Sequence, residues 1–138
     1  METLTYQKEE GLDLDEVIGL YQSSTLAERR PVENRRIMQY MIDNAGIIVT
    51  ARDQNKLVGL ARTLTDFSYV AYLADLAVHL DYQKKGIGKR LVAETRTHLD
   101  PNCFITLLSA PKANDYYPRI GFKPHPRAWW LSPGDPIE

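Results

Sequence analysis

The sequence predicts a mixed α/β fold, a central sheet with helices on both faces in the order β-α-α-β-β-β-α-β-α-β. Three observations carry this expectation. Stretches of helical period stand early in the chain and again after Gly86. Between them, three β-rich runs follow one another through short turns. Strand-helix-strand crossovers recur near the end, and such crossovers join parallel strands.

Thr3-Leu4-Thr5-Tyr6 reads as a short first strand. From Asp13 to Ser24, Leu14, Val17, Ile18 and Tyr21 recur at three- and four-residue spacing, with Asp13, Asp15 and Glu16 placed favourably for the helix dipole. A polar segment, Thr25 to Glu33, leads to a second helical face of Ile37, Met38, Met41 and Ile42, with Asn34 as its N-cap and Gly46 beyond its end. The pattern then becomes β-rich. Ile47 to Ala51 and Leu57 to Leu64 flank the turn Asp53-Gln54-Asn55-Lys56 and predict a hairpin. Tyr69 to Val78 is almost continuously apolar, interrupted only by Asp75, as suits a central strand covered on both faces. Ile87, Leu91, Val92, Thr95 and Leu99 form a helical face that stops at Asp100-Pro101. Cys103 to Leu108 predicts a strand, Pro111 to Ile120 a short helix, and Phe122 onwards a last strand with a proline-rich tail.

With 138 residues the chain has the length of one domain, 1–138, large enough to bury a core. Its 43% hydrophobic and 25% charged residues exclude a disordered or low-complexity class. Lys and Arg number 17 against 18 Asp and Glu, so the broad basic footprint of a nucleic-acid binder is absent. No run approaches the roughly 20 apolar residues of a membrane span, and the first thirty residues lack a secretory pattern, so a cytoplasmic protein is expected. Cys103 stands alone and is expected in a buried strand, not in a disulfide. His79, His98 and His125 show no ligand spacing, so no metal site is expected.

Gln83-Lys84-Lys85-Gly86-Ile87-Gly88-Lys89-Arg90 carries four cations and no anion. It falls between a strand and a helix, where unpaired amide donors and the helix dipole favour a phosphate. Gly86 and Gly88 leave the backbone open to close approach. A tight turn with a solvated basic rim explains the same residues. The dinucleotide fingerprint fails, because Leu91 stands where a third glycine belongs, and no Gly-Lys-Ser/Thr triplet marks a triphosphate loop.

Gln83-x-x-Gly86-x-Gly88, directly after Leu76-Ala77-Val78 and opening a helix, resembles the acetyl-CoA loop of the GCN5-related N-acetyltransferases (GNAT). Tyr116-Tyr117-Pro118-Arg119-Ile120-Gly121-Phe122 is similar to the aromatic-Tyr-x-x-x-Gly-Phe segment of that family, and the expected element order matches its fold. The resemblance runs from Leu4 to about Leu131 and is weakest before Gly46.

The resemblance implies an acyltransferase that moves acetyl from acetyl-CoA, as co-substrate, to a primary amine by direct attack in a ternary complex. A small-molecule acceptor is the expectation. The alternative is a non-catalytic acyl-CoA sensor or regulatory module. Backbone groups of Leu76, Ala77 and Val78 would hold the pantetheine arm and polarise the thioester carbonyl, although their side chains also read as plain core. Gln83, Lys84, Lys85, Gly86, Ile87, Gly88 and Lys89 would cradle the phosphates. Tyr117 would protonate the leaving thiolate, with Pro118 threatening a kink beside it.

Asp75, flanked by apolar residues, is the candidate base, with a pKa raised if it is desolvated; pairing with an arginine is the other reading. The acceptor pocket would draw on Tyr21, Glu28, Arg29, Arg30, Glu33, Arg35, Arg36, Tyr40 and the Trp129-Trp130 pair, although a solvated helix face and an edge-strand plug explain the arginines and the tryptophans as well. A homodimer is compatible with that tryptophan-rich edge.

Overall fold

In the computed structural model, which describes residues 3–138, each of the first two helices starts on the residue that can cap it. Asp13 Oδ2 accepts from the Glu16 amide at 3.1 Å and opens α1, Leu14–Ser23. Asn34 Oδ1 accepts from the Ile37 amide at 3.1 Å and opens α2, Arg35–Asp43. Both satisfy an amide that a helix start leaves orphaned.

Five strands form one sheet in sequential order: β1 (Leu4–Lys8), β2 (Ile47–Asp53), β3 (Lys56–Thr65), β4 (Val70–Val78) and β5 (Phe104–Thr106). The first four pair antiparallel, and β2 and β3 form the expected hairpin, with Gln54 in the left-handed region at φ 56°. The crossover from β4 to β5 runs through α3 (Ile87–Thr97), and these two strands are parallel.

Successive strand residues face opposite sides, so the sheet needs two covers. Val17, Leu20 and Tyr21 of α1 and Met38 and Ile42 of α2 pack with Ile48, Leu60 and Ala77 of the sheet. On the opposite face, Gly59 lies under α3. A Cβ there would stand 3.0 Å from Leu91 Cδ1, 3.1 Å from Ile87 Cγ2 and 3.2 Å from Ala51 Cβ. The missing side chain lets the helix sit close on the sheet.

The chain divides into two compact units, the first ending at Leu108 and the second comprising Ser109–Glu138. In the second unit, a 3-10 turn at Pro111–Ala113 precedes α4, Tyr116–Arg119. Two sequence expectations are corrected here. From Phe122 onwards the backbone forms no strand, and Trp129 and Trp130 are exposed. A strand forms only where a neighbour completes its hydrogen bonds, and Pro124 and Pro126 each lack an amide to offer one. Pro118 is the third residue of the short helix, where its missing N–H would have been an orphan, so it continues the turn without a break.

A third correction concerns Cys103, which is half-buried just ahead of β5 and not inside a buried strand. The reason is that β5 is a three-residue edge strand with Phe104 exposed.

Replacing Gly59 by Val is expected to destabilise the fold by about 1–3 kcal/mol through overpacking against Leu91 and Ile87. Urea unfolding of the variant checks this.

Candidate functional site

β4 and the loop after it bring most of the first unit's sequence-predicted site residues together. Opposite β3, the strand is paired from Ala71 to Val78. Opposite β5, pairing covers only Val70, Ala71 and Tyr72. From Leu73 to Val78, therefore, β4 has no strand along that second edge among the described residues, and a strand presents backbone donors and acceptors on both edges. Leu76, Ala77 and Val78 lie in this stretch. The Val78 carbonyl accepts from Gln83 Nε2 at 2.9 Å, which ties the loop back to the strand end.

The loop itself is shaped by two left-handed residues, Lys84 at φ 63° and Gly86 at φ 82°. Gly86 is the N-cap of α3, and no side chain caps that helix. A Cβ built on Gly86 would meet nothing within 4 Å, so the glycine is required by its backbone angle and not by crowding. Lys84, Lys85 and Lys89 are exposed around this helix start, while Ile87 and Gly88 are buried. The Ile87 side chain is core against β3, leaving only its backbone for a ligand. Arg90 is otherwise engaged: its Nε donates to Glu94 at 3.0 Å, and its guanidinium stacks 4.6 Å from the centre of the Tyr6 ring. A glycine-initiated, uncapped helix start ringed by lysines fits the diphosphate of a CoA molecule.

Asp75 departs from the sequence expectation of a raised pKa. Its carboxylate is fully buried. Tyr21 Oη donates to Oδ2 at 2.6 Å, Arg62 Nε to Oδ2 at 2.6 Å, and Arg30 Nε to Oδ1 at 2.6 Å. Burial is the largest influence and pushes the carboxyl up. The Arg62 hydrogen bond and charge, the Arg30 charge and the Tyr21 hydrogen bond together outweigh it and hold Asp75 below the usual carboxylate range. A carboxylate so held is a poorer base than a free one.

Tyr21, expected in a pocket wall, is instead fully buried, and burial followed by the Asp75 charge pushes its hydroxyl well above the usual phenol value. It stays a neutral donor. Arg62 was not singled out in the sequence, yet it is the one charged residue in the run Leu57 to Leu64, as Asp75 is the one acid in Tyr69 to Val78. Two lone opposite charges in neighbouring apolar strands are the signal that could have paired them. In the sheet they stand directly opposite each other.

In the second unit, Tyr117 lies on α4 with its ring edge-to-face against Phe122 at 5.5 Å. The Phe122 amide donates to the Tyr117 carbonyl at 3.0 Å, and Gly121 between them takes φ 110°. The Tyr-x-x-x-Gly-Phe spacing is thus a helix stop, closed by the one residue type suited to that angle.

Replacing Asp75 by Asn leaves the buried Arg62 and the half-buried Arg30 guanidinium groups facing a neutral amide and is expected to cost about 3 kcal/mol at neutral pH. Because the folded pKa is depressed, the contribution of Asp75 is full above the unfolded value of about 3.9 and is lost as pH falls towards the folded value. Urea unfolding of both proteins from pH 7 to pH 3 should show the gap closing below about pH 4.

The profile of the acetyltransferase (GNAT) domain family matches residues 15–128. An uncharacterized N-acetyltransferase, ycf52, of Gracilaria tenuistipitata var. liui is 38% identical over 103 residues, covering 68% of this chain and 53% of its own length. Its counterpart of Pyropia yezoensis is 30% identical over 116 residues, covering 76% and 65%. The chain thus spans between about half and two thirds of these curated relatives. Among solved structures, a GNAT family acetyltransferase of Streptococcus pneumoniae aligns with TM-score 0.74 and 25% identity over 95% of this chain and 99% of its own. An aminoglycoside N-acetyltransferase in complex with CoA aligns with TM-score 0.74 and 15% identity over 96% and 95%, a likeness of fold. With the family profile running through most of the chain, the protein belongs to the GNAT acetyltransferase domain family.

Proposed function

We propose that the chain is an N-acetyltransferase that moves the acetyl group of acetyl-CoA to a primary amine of a small molecule by direct attack in a ternary complex. The observation that carries this reading is the uncapped, glycine-initiated start of α3, placed directly after a strand with an unpaired edge. The family profile runs through both compact units, and we take 1–138 as one functional domain on that ground. One structural neighbour, at 19% identity, is an aminoglycoside acetyltransferase in complex with sisomicin; it supports a small-molecule amine as the acceptor class.

In this reading, acetyl-CoA supplies an activated thioester. Backbone amides from Gly86 to Lys89, with Lys84, Lys85 and Gln83 alongside, bind its diphosphate by hydrogen bonds and the helix dipole. Free backbone groups among Leu76, Ala77 and Val78 orient the pantetheine arm and polarise the thioester carbonyl, favouring the charge that develops on its oxygen. The neutral amine nitrogen forms the new C–N bond as the C–S bond breaks. Tyr117, carried over on the Tyr-x-x-x-Gly-Phe motif alone, hands a proton to the departing sulfur. The proton lost by the amine leaves through water, since Asp75 is held ionised by two arginines and is ill suited to take it. Asp75 is therefore proposed as a structural anion of the site and not as its base.

Acetyl-CoA at about a hundred times its Kd is expected to raise the melting temperature by several degrees, with ATP and NAD causing no comparable rise. Replacing Lys84 and Lys89 together by Glu should weaken acetyl-CoA binding at least tenfold at low salt and less at 0.5 M, where screening already removes part of the attraction. Absence of any acetyl-CoA shift in the unsubstituted protein would overturn the reading. Replacing Tyr117 by Phe is expected to lower kcat roughly tenfold or more in a thiol-release assay with acetyl-CoA affinity unchanged. An equal kcat would remove Tyr117 from the reaction.

A further inference from the structure

The polar segment after α1 rests Leu26, Ala27 and Val32 against the core, each only partly buried. It contains a 3-10 turn, Leu26–Arg29, with no fully buried residue. It begins at Thr25, a β-branched residue in the left-handed region at φ 72°, a conformation that persists only when surrounding contacts enforce it. Arg30 supplies such contacts. All three of its nitrogens are used: Nε donates to Asp75 Oδ1 at 2.6 Å, one terminal nitrogen to the Ala74 carbonyl at 2.8 Å, and the other to the Arg29 carbonyl at 2.7 Å.

The two acceptors on β4 are not ordinary ladder residues. Arg62 pairs with Asp75 and Thr63 with Leu73, so Ala74 is the extra residue of a β-bulge. The bulge lies one residue into the stretch from Leu73 to Val78, which among the described residues has no strand along its second edge. Arg30 therefore grips main chain and side chain at the place where β4 turns from a paired strand into an open edge. A single lysine nitrogen cannot reproduce this fork.

We propose that Arg30 is a positioning residue that locks segment 25–34 onto the bulge of β4 and so fixes, through Ala74 and Asp75, the aim of the open β4 edge at the thioester. The inference rests on the acetyltransferase reading above for its catalytic part, and on the contacts alone for its positioning part. Arg30 touches neither substrate in this scheme. It acts through β4 and through the loop it holds, so its loss affects acetyl transfer while the phosphate contacts at the start of α3 remain.

The test compares the full chain with its Arg30→Lys and Arg30→Ala variants. Amide hydrogen exchange should be faster over residues 25–34 in both variants, by about tenfold or more, with α3 unchanged. Acetyl-CoA affinity, read by the thermal shift, should stay within about twofold. In the thiol-release assay with tyramine, spermidine and sisomicin as acceptors, kcat/KM for each amine that the unsubstituted protein acetylates should fall at least tenfold. The KM for acetyl-CoA should change little, and millimolar methylguanidinium should restore part of the loss in Arg30→Ala but not in Arg30→Lys.

Unchanged exchange over 25–34 would overturn the proposal. Faster exchange with unaltered amine kinetics would overturn its catalytic part and leave Arg30 a structural tie. Failure of the underlying reading looks different: the unsubstituted protein would neither bind acetyl-CoA nor release thiol, while the exchange difference would still decide whether Arg30 holds the segment.

Discussion

A carboxylate without solvent exposure must be neutralised where it stands, and much of the first unit is arranged around meeting that demand for Asp75. The neutralising groups come from far apart in the chain: Tyr21 from α1, Arg30 from the segment after it, and Arg62 from the neighbouring strand. Each is brought by a different element, so the cluster forms only when those elements are already in register. Such a cluster is weak evidence for net stability, because desolvating charges offsets much of their attraction. Its physical consequence is selectivity. A one-residue slip of β3 against β4 would carry Arg62 to the far face of the sheet and leave Asp75 buried with one fewer partner.

The same strand carries this anchor at one point and an open backbone edge just after it. The bulge at Ala74 reconciles the two, since one unmatched residue lets Asp75 stay opposite Arg62 while the pairing with β3 continues to Val78. On the far face, Gly59 allows α3 to approach β3 through Ile87 and Leu91, and the start of that helix is where the loop glycines lie. Anchor, open edge and helix start are thus set by three neighbouring features of two strands. A displacement at one is felt at the others because the sheet between them is close-packed.

The elements of the first unit were legible in the sequence because each follows from local chemistry: Asn34 as a cap, the turn after Asp53, the apolar period of α3 and the parallel crossover to β5. The glycine loop was legible for the same reason. What local patterns could not supply was partnership. Arg30 lies 45 positions from Asp75, inside a segment that reads as solvated, so the ionisation of Asp75 could not be judged from its apolar neighbours. Burial and pairing act on a carboxyl in opposite directions, and only the first is visible along the chain. The strand expected from Phe122 on failed similarly: local sequence does not say whether another strand is there to receive it.

The pairing of Asp75 also constrains how any amine could be deprotonated nearby. To accept a proton, this carboxylate would have to give up attraction to two guanidinium groups while remaining buried, leaving two positive charges without a counter-charge. That outcome is more costly than the one burial was expected to relieve, which is why desolvation alone points the wrong way here. A site with such an anchor has to move protons through water or through groups with weaker attachments. The proposed mechanism divides the labour accordingly: side chains on the α1 face of β4 hold the strand, and the backbone along its open edge is assigned the chemistry. Backbone chemistry places little demand on side-chain identity, so in the proposed mechanism buried Ala77 and half-buried Leu76 and Val78 keep their packing roles while lending their backbone, whereas Asp75, charged and enclosed, is assigned to the frame.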